Sequence, residues 1–138
     1  MADTLKLEIV TPETTIYSED VEMVTLPGSE GEAGIYPNHV PLMTQVHAGE
    51  IIVSRGGTEE VLAVGEGFIE VTGNHVAILT DNAANSADID KAAAEEAKAK
   101  AERRLEEGGD VTEEEAKALT QAILYSQAQL KAKRRKRG

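Results

Sequence analysis

GFIEVTGNHVAILT, residues 67–80, decides the fold. Ile69 and Val71 alternate with Glu70 and Thr72, and Val76, Ile78 and Thr80 take up the alternation again after Gly73-Asn74. A period of two puts one set of side chains on each face of a strand. A glycine pair-turn supplies the positive φ that a two-residue hairpin needs. The same signs recur on working outward. Ile51 and Val53 face one way and are followed, beyond Gly56-Gly57, by Val61 and Ala63. Val21, Met23 and Thr25 alternate with Glu22, Val24 and Leu26 as one run, and Leu5, Leu7 and Ile9 alternate with Lys6 and Glu8. Pro27-Gly28 and Pro37-Asn38 are further turn signals, while Gly65 and Gly67 mark a bulge or tight strand packing. Short strands at this spacing predict a β-sandwich or barrel over residues 1–85, long enough for a modest two-layer core.

The composition changes near Asp88. Residues 1–88 hold 15 acidic and two basic side chains, Lys6 and Arg55, whereas residues 89–138 hold 10 acidic and 12 basic ones. Ala, Glu and Lys replace Val, Ile and Thr, so residues 86–138 read as a second, helical unit. Its first helix is expected from about Ile89 to Leu105, capped by Ser86 or Asp88. Gly108-Gly109 ends it, with one glycine in the left-handed position, and acts as the hinge of an antiparallel hairpin. Thr112 and Glu115 form a capping box for a second helix running from Glu113 into the basic tail. Ala116, Leu119, Ile123 and Leu130, flanked by Leu124, give that helix a thin apolar stripe. A helix with high intrinsic propensity and little apolar surface can leave its dock without melting.

Most chemistry is excluded. There is no Cys, hence no disulfide, thiolate nucleophile or Cys-ligated metal. His39, His47 and His75 match no ligand spacing, so no metal site is expected. Nucleophile-elbow, P-loop and dinucleotide fingerprints are missing, and no catalytic residue is assigned. The net charge of -11 opposes nucleic-acid binding. No apolar run approaches the length of a membrane span, and MADTLKLEIV lacks the pattern of a secretory signal. The tail, with Lys131, Lys133, Arg134, Arg135, Lys136 and Arg137, either complements the helix dipole or meets an acidic partner surface.

Residues 28–44, GSEGEAGIYPNHVPLMT, resemble the signature segment of the epsilon subunit family of bacterial F-type ATP synthases, through Glu32, Gly34, Ile35, Pro37, His39 and Pro41. The resemblance continues through VGEGFIEV (64–71), VAILTDNA (76–83) and DIDKAAAEEAKAKAERRL (88–105). Chloroplast epsilon and mitochondrial delta subunits are relatives. The resemblance implies a ten-stranded β-sandwich followed by a C-terminal two-helix hairpin. It implies a non-catalytic central-stalk subunit that couples rotation of the c-subunit ring to ATP synthesis. Partners would be the gamma subunit, the c-ring and the alpha and beta subunits of the catalytic head. Attachment to the cytoplasmic face of the bacterial inner membrane would come only through the complex. Glu32 and His39 fall on the family's ring-facing loop. The hairpin would inhibit ATP hydrolysis when extended, with Arg103, Arg104 and the tail cations meeting the head.

Some family members bind ATP through an I/L-D-x-x-R-A segment. Here it reads Ile89, Asp90, Lys91, Ala92, Ala93, Ala94. Ala93 replaces the arginine, whose bidentate contacts an alanine cannot supply. ATP binding is therefore expected to be weak or absent, and no cofactor is expected. A sandwich adaptor or ligand-binding protein outside the synthase is the competing reading; co-purification with gamma and c subunits separates the two.

Overall fold

The computed structural model describes residues 4–28, 31–38 and 40–137. Ten strands form two five-stranded sheets, and two helices follow. The strands are β1 (Leu5–Val10), β2 (Thr15–Val21), β3 (Met23–Gly28), β4 (Gly31–Ile35), β5 (Leu42–Val46), β6 (Gly49–Arg55), β7 (Thr58–Val64), β8 (Gly67–Thr72), β9 (His75–Thr80) and β10 (Ala83–Asn85). The first sheet runs β2-β1-β9-β8-β5, and the second β10-β7-β6-β3-β4. All pairs are antiparallel except β1 with β9.

The residues that decided the fold form the β8–β9 hairpin, with Gly73 at φ +56° in its two-residue turn. Gly56 and Gly57, at φ +59° and +80°, turn β6 into β7. Leu5, Leu7, Ile9, Val21, Ile69, Val71, Val76 and Ile78 point inward from the first sheet. Val24, Leu26, Ile35, Ile51, Val53, Leu62 and Val64 meet them from the second. Tyr17 joins the sheets at one edge, where its hydroxyl donates to Glu60 at 2.8 Å. Burial, and then that bond to a carboxylate, hold its phenol protonated well above the ordinary pH of 10.

One strand reading is corrected. Residues 21–26 are not one alternating run. Val21, Val24 and Leu26 are all buried, because the chain leaves the first sheet after Val21 and enters the second at Met23. Glu22 makes the crossing: its N–H donates to the Ser54 carbonyl, and its carboxylate accepts from the Gly56 N–H. Val61 and Ala63 lie on the face opposite to that of Ile51 and Val53. Register pairs Ile51 with Leu62 and Ile52 with Val61, so Ile52, Val61 and Ala63 occupy the outer face of the second sheet. That face is dry because a helix covers it, which is why IIV (51–53) and VLAV (61–64) are apolar at successive positions.

Candidate functional site

The helical unit begins with a 3-10 turn, Ser86–Asp88, capped by the Asn85 side chain. Ile89 is extended and buried, and the N-cap of α1 (Lys91–Glu107) is Asp90, not Ser86 or Asp88. Its carboxylate accepts from the Ala93 N–H at 3.1 Å. The short 3-10 turn consumes the two residues whose side chains suit a cap, so capping falls to the next acid. Asp90 therefore caps the helix, while Ala93 itself is exposed.

Gly108 and Gly109, at φ +60° and +63°, turn the chain into α2 (Glu113–Arg137). Thr112 accepts from the Glu115 N–H at 3.0 Å, which is one half of the expected capping box. The Glu115 carboxylate accepts instead from Arg104 at 3.1 Å, so this arginine staples α1 to the start of α2. Arg103 is exposed beside a groove between the helices floored by Ala97, Ala101 and Leu119.

The hairpin docks through α2, which packs across β6, β7 and the 3-10 turn. The contact is not made by the stripe of Leu119, Ile123 and Leu130. Ala128 and Ala132 are buried against Ile52, Val61, Ala63 and Ile89, with Ala84 and Tyr125 at the margin. Small side chains let the helix backbone lie close on the strands, which leucines would hold off. Burial also raises the Tyr125 phenol above its ordinary value. An alanine methyl contributes only about 0.8 kcal/mol on burial, so the helix itself brings little apolar area and the dock rests chiefly on covering Ile52, Val61 and Ile89. Ser86 is fully buried beneath it, and its hydroxyl has no hydrogen-bond partner among the described residues.

The tail cations are placed unevenly. Lys133 donates to the Ser86 carbonyl at 3.3 Å. Arg135 grips both oxygens of Glu50, at 2.9 and 3.3 Å, and Lys131 lies 3.6 Å from one of them. Arg134 is exposed. Lys136 and Arg137 continue the backbone of α2.

A second surface lies on the outer face of the first sheet. Val10, Leu79, Phe68 and Gln45 stand side by side across β1, β9, β8 and β5. Phe68 is 60% and Leu79 53% exposed, with Met43 at 69% one step along β5. Phe68 and Leu79 occupy the solvent phase of alternating strands. Apolar side chains in that phase are the sequence signal for this surface. The loop after β4 also exposes Tyr36 and Val40, and the Asn38 N–H donates to the Asn74 side chain across to the β8–β9 turn.

Glu32 lies in β4 opposite Pro27 rather than in a loop, in the register that pairs residues 31–35 with β3. His39 lies outside the described residues. His75 pairs with Glu8 at 2.5 Å, and His47 is exposed. Among the described residues no group of His, Asp or Glu is placed to hold a metal ion, and no helix is long and apolar enough to cross a membrane.

Comparison with known proteins bears on both units. Residues 4–86 match the family described as "ATP synthase, Delta/Epsilon chain, beta-sandwich domain". The ATP synthase epsilon chain of Desulforamulus reducens is 46% identical over 71 residues, 51% of this chain and 54% of that one. The epsilon chain of Dehalococcoides mccartyi is 51% identical over 67 residues, covering 49% and 48% of the two chains. The match thus spans about half the length of these relatives. In fold, the chain is similar to one in the Euglena gracilis mitochondrial ATP synthase assembly of OSCP, F1 and c-ring. The TM-score is 0.71 at 23% identity, over 91% of this chain and 78% of that one. It is also similar to a chain of the Tetrahymena thermophila mitochondrial central stalk and c-ring. There the TM-score is 0.59 at 12% identity, over 95% and 97%. These two likenesses concern the whole architecture, hairpin included, whereas the sequence match rests on the sandwich and covers most of residues 1–85. By that match the chain belongs to the ATP synthase delta/epsilon family.

Proposed function

We propose that this chain is the epsilon-type subunit of the central stalk of a bacterial proton-translocating F-type ATP synthase. It performs no bond chemistry. Its sandwich transmits c-ring rotation to the catalytic head by holding the gamma subunit and the ring, and its hairpin restrains ATP hydrolysis. It sits on the cytoplasmic face of the inner membrane through these partners alone. The observation that carries this reading is a sandwich of that family with two faces of opposite character. One face is covered by a helix that brings only small side chains to it. The other leaves Phe68, Leu79 and Met43 in water, an arrangement suited to a permanent protein partner. We assign the gamma contact to the second face. The ring contact is assigned to the segment from Glu32 to His39.

The regulatory half rests on the hairpin. α2 is held by alanine-sized contacts and by charge pairs that water can replace, while the α1–α2 turn is stapled by Arg104. The pair of helices can therefore leave the sandwich as one body. Arg103, Arg134, Lys136 and Arg137, together with Lys131, Lys133 and Arg135 once released, then meet acidic segments of the alpha and beta subunits. ATP hydrolysis by a catalytic head carrying gamma tests this. With the full chain bound it is expected to run several-fold slower than with a chain ending at Ala87. Equal rates for the two bound chains would remove the inhibitory role and leave coupling by the sandwich.

ATP is not expected to stabilise the docked form. Asp90 is occupied as a helix cap and Ala93 offers no cation. Isothermal titration of the full chain with ATP and Mg²⁺ should show no binding at micromolar concentration; micromolar affinity would overturn this.

A further inference from the structure

Glu50 is an unusual residue for its position. It stands in β6 on the outer face of the second sheet, two places before Ile52, and its side chain is only 4% exposed. Nothing in the sandwich calls for a carboxylate there. What covers it is the end of α2. Arg135 donates Nε to one oxygen at 2.9 Å and Nη2 to the other at 3.3 Å, a two-point grip, and the Lys131 ammonium lies 3.6 Å away. Residues 128, 131, 132 and 135 recur at helical spacing, so the two docking alanines and the two cations form one stripe.

We propose that Glu50 is the receptor for the basic tail, making hairpin docking conditional on those cations remaining unclaimed by any other acidic surface. The proposal rests on the reading that the hairpin leaves the sandwich. A carboxylate dried by the helix must be compensated, and removing one member of such a pair is far more costly than the pair is worth intact. If an acidic partner takes Arg135 and Lys131, α2 can stay down only over an unpaired buried charge. If α2 lifts, Glu50 returns to water. Docking and tail capture therefore exclude each other, and each weakens the other to the same degree. Arg135 and Lys131 are 43% and 65% exposed, so salt reaches and weakens the latch.

The chain has no cysteine, so a pair of spin labels can be placed without background. Labels at Glu59→Cys on β7 and Glu102→Cys on α1, both exposed positions, report whether the hairpin is down. The full chain should give one dominant distance. Lys131→Glu with Arg135→Glu, changes confined to the helix surface, should reduce the population at that distance about tenfold or more. Glu50→Gln added to those two should recover part of it, because the repulsion goes while the shape stays. Docking that is unchanged in the double variant overturns the latch. So does a failure of Glu50→Gln to alter docking in that background while the circular dichroism of the strands is retained. These distances are read on the isolated chain. A hairpin that responds as stated beside equal hydrolysis rates would keep the latch and remove only the inhibitory role.

Discussion

Replacing Gly67 with alanine is expected to cost about 3 kcal/mol or more and to lower the urea midpoint of the sandwich sharply. A Cβ at this position would lie 2.0 Å from the Leu79 carbonyl oxygen and 2.9 Å from the Leu79 carbonyl carbon and the Thr80 Cα. All three are backbone atoms, so no rotamer change relieves the contact. β9 is held between β1 and β8 in the middle of its sheet, and it cannot retreat without losing the pairing that organises the first layer. Gly65→Ala is the matched control. Its Cβ would meet Thr80 Oγ1 at 3.6 Å, an ordinary contact, and the change should stay within about 1 kcal/mol. Urea unfolding followed by far-ultraviolet circular dichroism compares the two. Equal midpoints for Gly67→Ala and the parent would mean that β8 and β9 are not spaced as described.

Ala132→Glu is expected to release the hairpin while leaving the sandwich folded. Ala132 is fully buried at the centre of the dock, against a face built from Ile52, Val61 and Ala63. A carboxylate there is pressed onto an apolar face and adds a negative charge near Glu50, whose cations Arg135 and Lys131 are already engaged, so the penalty is about 3 kcal/mol or more. The core between the sheets is a separate cluster to which α2 contributes nothing, and its stability should not change. Hydrogen exchange reads both units at once. Protection should fall along α2 and persist at Ile69, Val71, Val76 and Ile78. Loss of protection in both units together would show that hairpin and sandwich unfold as one.

Strand existence was legible because most strands have one wet and one dry face, and hairpin turns carried glycine at positions needing positive φ. Legibility failed where a third layer or a change of sheet altered that rule. Glu22 reads as one more polar position in an alternating run, yet it is where the chain crosses between sheets, and only the burial of Val21, Val24 and Leu26 together reveals the break. Ile52, Val61 and Ala63 are apolar on the outer face because α2 lies on them, a fact that no local window contains. The dock was hardest to read. Alanine scores as a weak apolar residue, so the leucines of α2 were the natural choice, whereas close approach selects Ala128 and Ala132. Glu50 was lost among the many acids of the first unit; its partners lie 81 and 85 positions later, at Lys131 and Arg135. Phe68 and Leu79 were legible in principle as apolar residues in the solvent phase. The segment from Glu32 to His39 entered through family resemblance, and the structure adds that Glu32 belongs to β4.

A sandwich that serves as a stalk element through its exposed apolar face must bind a catalytic head by that face. The full chain is mixed with a catalytic head carrying gamma and resolved by gel filtration, beside the variant Phe68→Glu/Leu79→Glu. Both side chains already face water, so these substitutions leave the core intact. A one-to-one complex is expected for the parent chain, and its loss for the variant. A parent chain that elutes alone, or a variant that binds as tightly as the parent, would contradict it.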